Sequence, residues 1–475
     1  MDSMTAAGPD SHQNEPPPVD EPRKNTYPDG PRIHLPLALI SQMLPALFPF
    51  DALEFGLGIV RQFGDIAHYQ LGPLHVYQLS HPDLARQVLV EQAEKFHKPK
   101  LIKRAFRPFA GEGLLTSDGA AWRQQRRLLQ PAFHHRQLAA YSKVMVEQAL
   151  RLVESFRDGE TRDIGSEMAR VTMGVVVNTL FGADLPREIL EISGSMRSVL
   201  DAANRRMNSV LQIPSWAPTP RNLRERRALA GLDAMFHLII HMRRRSAERR
   251  DDLLSALLAA VDEDSGAAMS DQQLRDEMMT LFLAGHETTA NTLTWTWYLL
   301  SQHPEVEAKL LRELRSVVGG RSPALTDLPN LPYTEMVIRE AMRLFPPAPG
   351  VAREPIEDVT IAGYRVCRGS LISVNTYAMH QDARFFADPQ RFDPERFSSG
   401  WEERIPRYAY LPFGGGPRIC IGNAFAMMEA RLILATVAPR YQLSLEGSAA
   451  EVVPVQLVTL RPKRPVRMRL TRRPL

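Results

Sequence analysis

Ten residues near the C-terminus, Phe413 to Gly422 (FGGGPRICIG), constrain this 475-residue chain more than any other segment. Three consecutive glycines let a backbone take positive φ and approach a flat ligand closely. The following run, NAFAMMEARLILATVA, has helical character, and a helix starting there points free N–H groups and a positive dipole end back at Cys420. Such a setting lowers a thiol pKa and favours a thiolate ligand. An inert buried cysteine needs no triple glycine, Pro-Arg pair and helix start together. The second cysteine, Cys367 in GYRVCRGS, lacks these features and reads as a structural residue. Two cysteines exclude a disulfide framework and fit a reduced, intracellular protein.

A length of 475 residues suggests about three domains. No internal repeat or Gly/Ser linker divides the chain, so the expectation is a single domain over 34–475 behind a flexible, Pro-rich leader, 1–33. Leu35 to Phe50 is free of charge, but it is shorter than the ~20 residues of a spanning helix and is broken by Pro36, Pro45 and Pro49. No transmembrane anchor is expected. Alternation around Gly72-Pro73 predicts a β-hairpin over Ile66–Leu79, with a helix starting near Ser80 to Pro82. Apolar residues at three- and four-residue spacing, as in Leu138–Phe156 and Leu229–Met242, make most of 120–315 helical. Residues 359–366 and 370–379 read as strands, and helix returns at Asn423. The fold class is mainly α with a minor β part. A net charge of 58 − 54 = +4 calls for no nucleic-acid partner. The run HMRRRSAERR (241–250) sits in amphipathic helical sequence with Glu248 among its arginines and reads as a solvated face. Arginine dominates the cations, since 8 of the 58 are lysine and 58 − 8 = 50 are arginine.

Gln272–Gln302 reads as one helix of about eight turns. At its middle, Ala284-Gly285 removes bulk, and Glu287-Thr288-Thr289 sets an acid beside hydroxyls that can bond to helix carbonyls and bend it. His286-Glu287 begins a zinc-protease pattern, but Ala290 stands where the second histidine is required. Farther on, LPYTEMVIREAMRLFPPAP is a helix ending before Pro346-Pro347. Its Glu340 and Arg343, three apart, would as an isolated surface pair contribute a few tenths of a kcal/mol.

Together these segments resemble the cytochrome P450 superfamily over about 30–475. Phe413, Gly416, Cys420 and Gly422 match its Phe-x-x-Gly-x-x-x-Cys-x-Gly signature. Ala284, Gly285, Glu287, Thr288 and Thr289 match the long-helix motif, and Glu340, Arg343 and Arg396 match the Glu-x-x-Arg and following arginine. The resemblance implies a triangular, helix-rich single domain with haem between the long central helix and the cysteine-bearing helix. It makes Cys420 the axial thiolate of heme b (iron protoporphyrin IX). By position, Thr288 and Glu287 would manage dioxygen and its protons. Glu340, Arg343 and Arg396 would lock the scaffold, and Trp122, Arg126, Arg353, Arg418 and His97 would meet the haem propionates. The substrate pocket would draw on Phe106 and Phe109, on Phe282, Leu283 and Ala284, on Pro349 and Val351, and on Leu457 and Val458. These are mostly apolar, which implies a lipophilic substrate such as a fatty acid, terpenoid, steroid or polyketide.

The implied activity is insertion of one oxygen atom from O2 into that substrate by hydroxylation or epoxidation. No Gly-x-Gly-x-x-Gly fingerprint opens a βαβ unit, so electrons would come from a separate ferredoxin or flavodoxin with its reductase. The protein would be a cytoplasmic monomer. The alternatives are a peroxide-driven peroxygenase of the same fold and a non-catalytic haem-binding or gas-sensing protein.

Overall fold

The computed structural model describes residues 27–32, 51–182, 188–208, 216–245, 252–262, 266 and 268–474. The expected membrane-avoiding segment Leu35–Phe50, the leader up to residue 26 and residues 246–250 of the arginine run lie outside them. Residues 27–32, expected to be part of a flexible leader, instead pack on the first hairpin. His68 N–H donates to Asp29 O at 3.3 Å and Tyr27 stacks on the His68 ring at 4.4 Å.

Helix α1 (Ala52–Phe63) is capped by Asp51, whose carboxylate accepts from the N–H groups of Leu53 and Glu54. The predicted hairpin follows: β1 (Ile66–Leu71) pairs antiparallel with β2 (Leu74–Leu79), Ile66 opposite Leu79. Helix α2 (Pro82–Arg86) runs on through a π-helical turn, Gln87–Glu91, to short β3 (Phe96–His97). Then come α3 (Lys100–Ala110), α4 (Gly119–Leu129), α5 (His135–Ser155), β4 (Thr161–Asp163), α6 (Ile164–Phe181), α7 (Glu188–Asn208), α8 (Pro220–Arg245) and α9 (Leu253–Ala259). Helix α10 (Asp271–Gln302) is followed by α11 (Pro304–Val317) and α12 (Pro332–Leu344).

At 32 residues, α10 is about 48 Å long and buried around most of its circumference. Its buried apolar residues, among them Leu274, Met278, Phe282, Leu293 and Trp297, join the large core, while buried polar residues such as Glu277, His286 and Asn291 interrupt them. Gly285 lets α6 approach closely, since a Cβ there would stand 3.1 Å from Val176 Cγ2. Among the described residues, no helix is long and apolar enough to cross a membrane.

After α12 the chain builds the minor β part. Strands β5 (Val351–Pro355), β6 (Val359–Ile361), β7 (Tyr364–Val366) and β8 (Leu371–Val374) precede helices α13 (Thr376–His380) and α14 (Trp401–Arg404). Residues 359–366, expected as short strand sequence with turns, form the β6–β7 hairpin, in which Ala362 (φ 50) and Gly363 (φ 78) turn the backbone through a positive-φ pair. The strand expected over 370–379 stops at Val374, where Asn375 caps α13 by accepting from Ala378 N–H at 2.9 Å. The five-stranded sheet has the order β1-β2-β8-β5-β3, with β2 and β8 parallel. Helix α15 (Asn423–Val437) is followed by β9 (Tyr441–Leu445), the hairpin of β10 (Pro454–Gln456) and β11 (Leu460–Pro462), and β12 (Arg467–Arg472). Helix content dominates, as expected.

The Glu340–Arg343 pair on α12 is no surface pair. Both side chains are fully buried, with Arg343 Nε and Nη2 donating to the two Glu340 oxygens at 2.7 and 2.8 Å. Arg396 Nε joins Glu340 Oε1 at 3.2 Å, and Asp393 N–H does so at 3.0 Å. The remaining Arg343 donors reach the carbonyls of His380, Pro389 and Arg391. Breaking a buried, fully bonded pair strands one charge and costs about 3–5 kcal/mol. Arg343→Ala should lower the unfolding free energy read from urea denaturation by that order. Arg343→Lys should recover little, because an ammonium cannot replace the planar fork; full stability in Arg343→Lys would contradict this account.

Candidate active site

The cysteine loop is set by close approaches that sequence alone shows only as glycines. Gly414 and Gly416 have φ of 71° and 68°. A Cβ on Gly416 would also overlap the Leu89 carbonyl of the π-helical turn. Cys420 N–H donates to Phe413 O at 3.0 Å and closes the loop, and Gly422 caps α15. Phe413 is half-buried against the large core. Cys420 is exposed at the surface of its loop, although protein atoms crowd the sulfur closely enough to desolvate it.

Desolvation pushes the Cys420 thiol up, against the pull of the Gly422 N–H and Arg126. The loop and helix start, expected to lower this pKa, are opposed by that desolvation. Burial outweighs the dipole, and it is metal coordination that would deprotonate the sulfur. Trp122 and Arg126 lie one turn apart on α4, and Arg126 Nη1 donates to Ile419 O at 2.7 Å, beside the cysteine.

A cluster of cations stands next to this loop. Arg418 lies over the Trp122 ring at 5.3 Å and pairs with Asp118 at 2.9 Å. Its buried Nη1 has no hydrogen-bond partner among the described residues. Arg353 on β5 donates Nη1 to the neighbouring Ala352 carbonyl. Burial, then repulsion from Arg418, push its pKa down to about 10, with Asp118 opposing.

Lys98 and Asp118 complete the cluster, and sequence reasoning had missed both. Lys98 Nζ donates to Leu114 O and Ser117 O at 2.7 and 2.6 Å, and burial depresses its pKa to about 7. Asp118 occupies the N-cap position of α4 but does not cap it. Its carboxylate serves Arg418, Lys103 and the Lys98 N–H. Four cations around one carboxylate, with one guanidinium nitrogen orphaned, fit a group bearing two carboxylates, as haem does. His97 stands beside the cluster, with Nδ1 2.8 Å from Lys98 O and Nε2 3.6 Å from Glu354.

At the middle of α10, Ala284 is exposed between buried Leu283 and half-buried Gly285, which marks an open face. Thr288, one turn on, donates to Ala284 O at 2.8 Å. Glu287 is half-buried and accepts from Thr459 at 2.8 Å. Burial raises its pKa, against the Thr459 hydrogen bond and Arg461. His286 is buried, with Nδ1 3.1 Å from Phe282 O, and desolvation holds its pKa near 4. Glu429 of α15 lies fully buried beside the Thr289 hydroxyl, its pKa pushed well up by desolvation.

Phe106, Phe109, Leu283 and Pro349 are buried, and Val351, Leu457 and Val458 partly so. Phe282 is placed differently from the expectation. Two residues from Ala284, it lies on the opposite side of the helix and packs edge-on against Phe236 of α8 at 5.9 Å.

The family model described as cytochrome P450 matches residues 59–468, and the chain belongs to that family. It is 39% identical over 404 residues to cyclooctatin synthase of Streptomyces melanosporofaciens, covering 84% of this chain and 88% of the relative. Pentalenene oxygenase of Streptomyces avermitilis is 37% identical, with 86% and 91% covered. The crystal structure of the cytochrome P450DA heme domain superposes with a TM-score of 0.85 at 25% identity, over 94% of this chain and 98% of that one. The chain is a P450 monooxygenase.

On the same face of α10, two turns before Ala284, Glu277 is fully buried and accepts from Leu114 N–H at 2.8 Å. Its other oxygen has no partner among the described residues, and desolvation pushes its pKa up to about 8. Because the folded state holds this proton more tightly than the unfolded chain, the stabilisation is full below the unfolded value near 4.5 and is lost as pH rises through about 8. Glu277→Gln should flatten the fall in urea midpoint across that window. An identical pH profile in the variant would contradict the assignment.

Proposed function

We propose that this protein inserts one oxygen atom from O2 into a lipophilic substrate of the terpenoid class, by hydroxylation or epoxidation, with heme b held by Cys420. The uncompensated cation cluster beside the Cys420 loop carries this reading, because it asks for a dianionic ligand next to a thiol. Trp122, Arg126, Arg353, Arg418 and Lys98 would hold the propionates; His97 already has protein partners at both ring nitrogens. The terpenoid class is supported by the apolar lining and by the two Streptomyces relatives.

A haem held there would supply dioxygen activation and the oxidising power needed for an unreactive C–H or C=C bond. The protein's own residues bind, orient and supply protons. Thr288, once released from Ala284 O, presents a hydroxyl on the open face of α10. Burial disfavours the charge of Glu287 and raises its pKa, which favours the protonated carboxyl. Phe106, Phe109, Leu283, Ala284, Pro349, Val351, Leu457 and Val458 exclude water and orient the substrate. Glu340, Arg343 and Arg396 hold the scaffold. The peroxygenase alternative has no need of a Glu287–Thr288 proton route.

Supply of labelled O2 should place one labelled oxygen in the product, while unlabelled O2 with labelled hydrogen peroxide should place none; the reverse would establish the peroxygenase. The cytoplasmic electron donor, a ferredoxin or flavodoxin with its reductase, would dock weakly with this monomer on the Cys420 side, through arginines such as exposed Arg123 of α4. Raising ionic strength should slow the first electron transfer, and an unchanged rate would contradict that docking mode.

A further inference from the structure

Glu287 is gripped from outside its own helix. Thr459, between β10 and β11, donates its hydroxyl to Glu287 Oε1 at 2.8 Å and accepts from Asn291 Nδ2 at 3.0 Å. Asn291 lies one turn beyond Glu287 on α10, so one buried hydroxyl is wedged between two side chains of a single helix stripe. Two residues on, Arg461 brings Nη1 to 4.0 Å from Glu287 Oε1 and Nη2 to 3.9 Å from Asp201 of α7. Arg461 and Asp201 are 38% and 48% exposed. The acid thus has an interior hydroxyl on one side and a solvent-facing guanidinium on the other.

The hairpin tip is itself fixed. Trp295 Nε1 donates to Leu460 O at 3.3 Å, Leu460 N–H to Pro347 O at 3.0 Å, and Leu457 N–H to Thr459 O at 3.0 Å. Leu457 and Val458, the tip residues assigned above to the substrate pocket, are therefore continuous with the residue that holds the acid. A substrate pressing on them bears on Thr459.

We propose that Thr459 is a positioning residue that couples the substrate-contacting tip to the proton-donating carboxyl of Glu287. This rests on the reading of Glu287 as a proton donor. With Oε1 engaged by Thr459, Oε2 is left as the oxygen that can carry a proton toward the Thr288 side. Without the hydroxyl, the carboxyl is free to close on Arg461. A guanidinium partner favours the ionised form, and an ionised Glu287 has no proton to give.

Thr459→Val removes the hydroxyl with little change in volume, and Thr459→Ser keeps it. In the holoenzyme, Thr459→Val should lower product formed per reducing equivalent by about five-fold, the worth of one hydrogen bond. The electrons should instead leave as hydrogen peroxide, and kcat should fall more than KM changes. Thr459→Ser should restore coupling. Independently of turnover, the infrared carboxyl stretch assigned to Glu287 by its loss in Glu287→Gln should shift in Thr459→Val and stay in place in Thr459→Ser.

An unshifted band with unchanged coupling in Thr459→Val would overturn the proposal, as would Thr459→Ser impaired to the same degree as Thr459→Val. Coupled turnover retained by Glu287→Gln would overturn the proton-donor reading itself. An impaired Glu287→Gln beside an intact Thr459→Val would overturn the role of Thr459 alone.

Discussion

The buried pair of Arg343 and Glu340 is the interaction on which the cysteine's position depends. Arg343 donates to Glu340 and to three backbone carbonyls, that of His380 at the end of α13 and those of Pro389 and Arg391 beyond it. One of those carbonyls belongs to His380, whose Nδ1 lies 3.1 Å from Arg343 O and whose Nε2 accepts from Leu411 N–H at 2.9 Å. Leu411 O in turn accepts from Gly414 N–H at 3.1 Å, and Phe413 O from Cys420 N–H at 3.0 Å. A handful of hydrogen bonds thus links the ion pair on α12 to the cysteine. His380 must be neutral to accept from Leu411, and burial, with Arg343 nearby, lowers its pKa to about 3. Buried charge is a costly way to build a scaffold. Here it fixes a loop whose glycines would otherwise leave it free.

The second constraint is electrostatic. Lys98, Arg353 and Arg418 are drawn together around Asp118, with Glu277 near enough to interact with Lys98, and the pKa of each cation is depressed by burial. Such a cluster opposes folding by itself and is relieved by an anion, so binding and stability are linked. The acids of α10 show the converse, since Glu277 and Glu287 sit where burial favours the proton. The interior is therefore arranged as cations beside the cysteine and proton-holding acids along the long helix.

Much of this was legible in the sequence because local chemistry coincides with tertiary need. The glycines before Cys420, the hairpin at Gly72-Pro73 and the span of α10 are each dictated by backbone geometry or periodicity, and each is found in place. Pairings at long range were not legible. Asp118 reads as a helix cap but spends its carboxylate on Arg418 and Lys103, and Thr459 lies 172 residues from the glutamate it holds. Phe282 was assigned to the pocket from its neighbourhood to Ala284, yet helical rotation turns it to Phe236. The short strands and turns expected over 359–366 leave the turn's place open, and the structure sets it at Ala362-Gly363, which both carry positive φ. The desolvation that opposes the helix start at Cys420 is a tertiary quantity that local sequence does not reveal.

The central claim is that Cys420 is the sulfur ligand of a haem held between its loop and α10. The most direct measurement is the absorption spectrum of the reduced, carbon monoxide-bound protein, taken for the unchanged chain, Cys420→Ala and Cys367→Ala. The account predicts the red-shifted Soret band of thiolate ligation in the unchanged chain and in Cys367→Ala, and its loss in Cys420→Ala. A red-shifted band that survives in Cys420→Ala would contradict it.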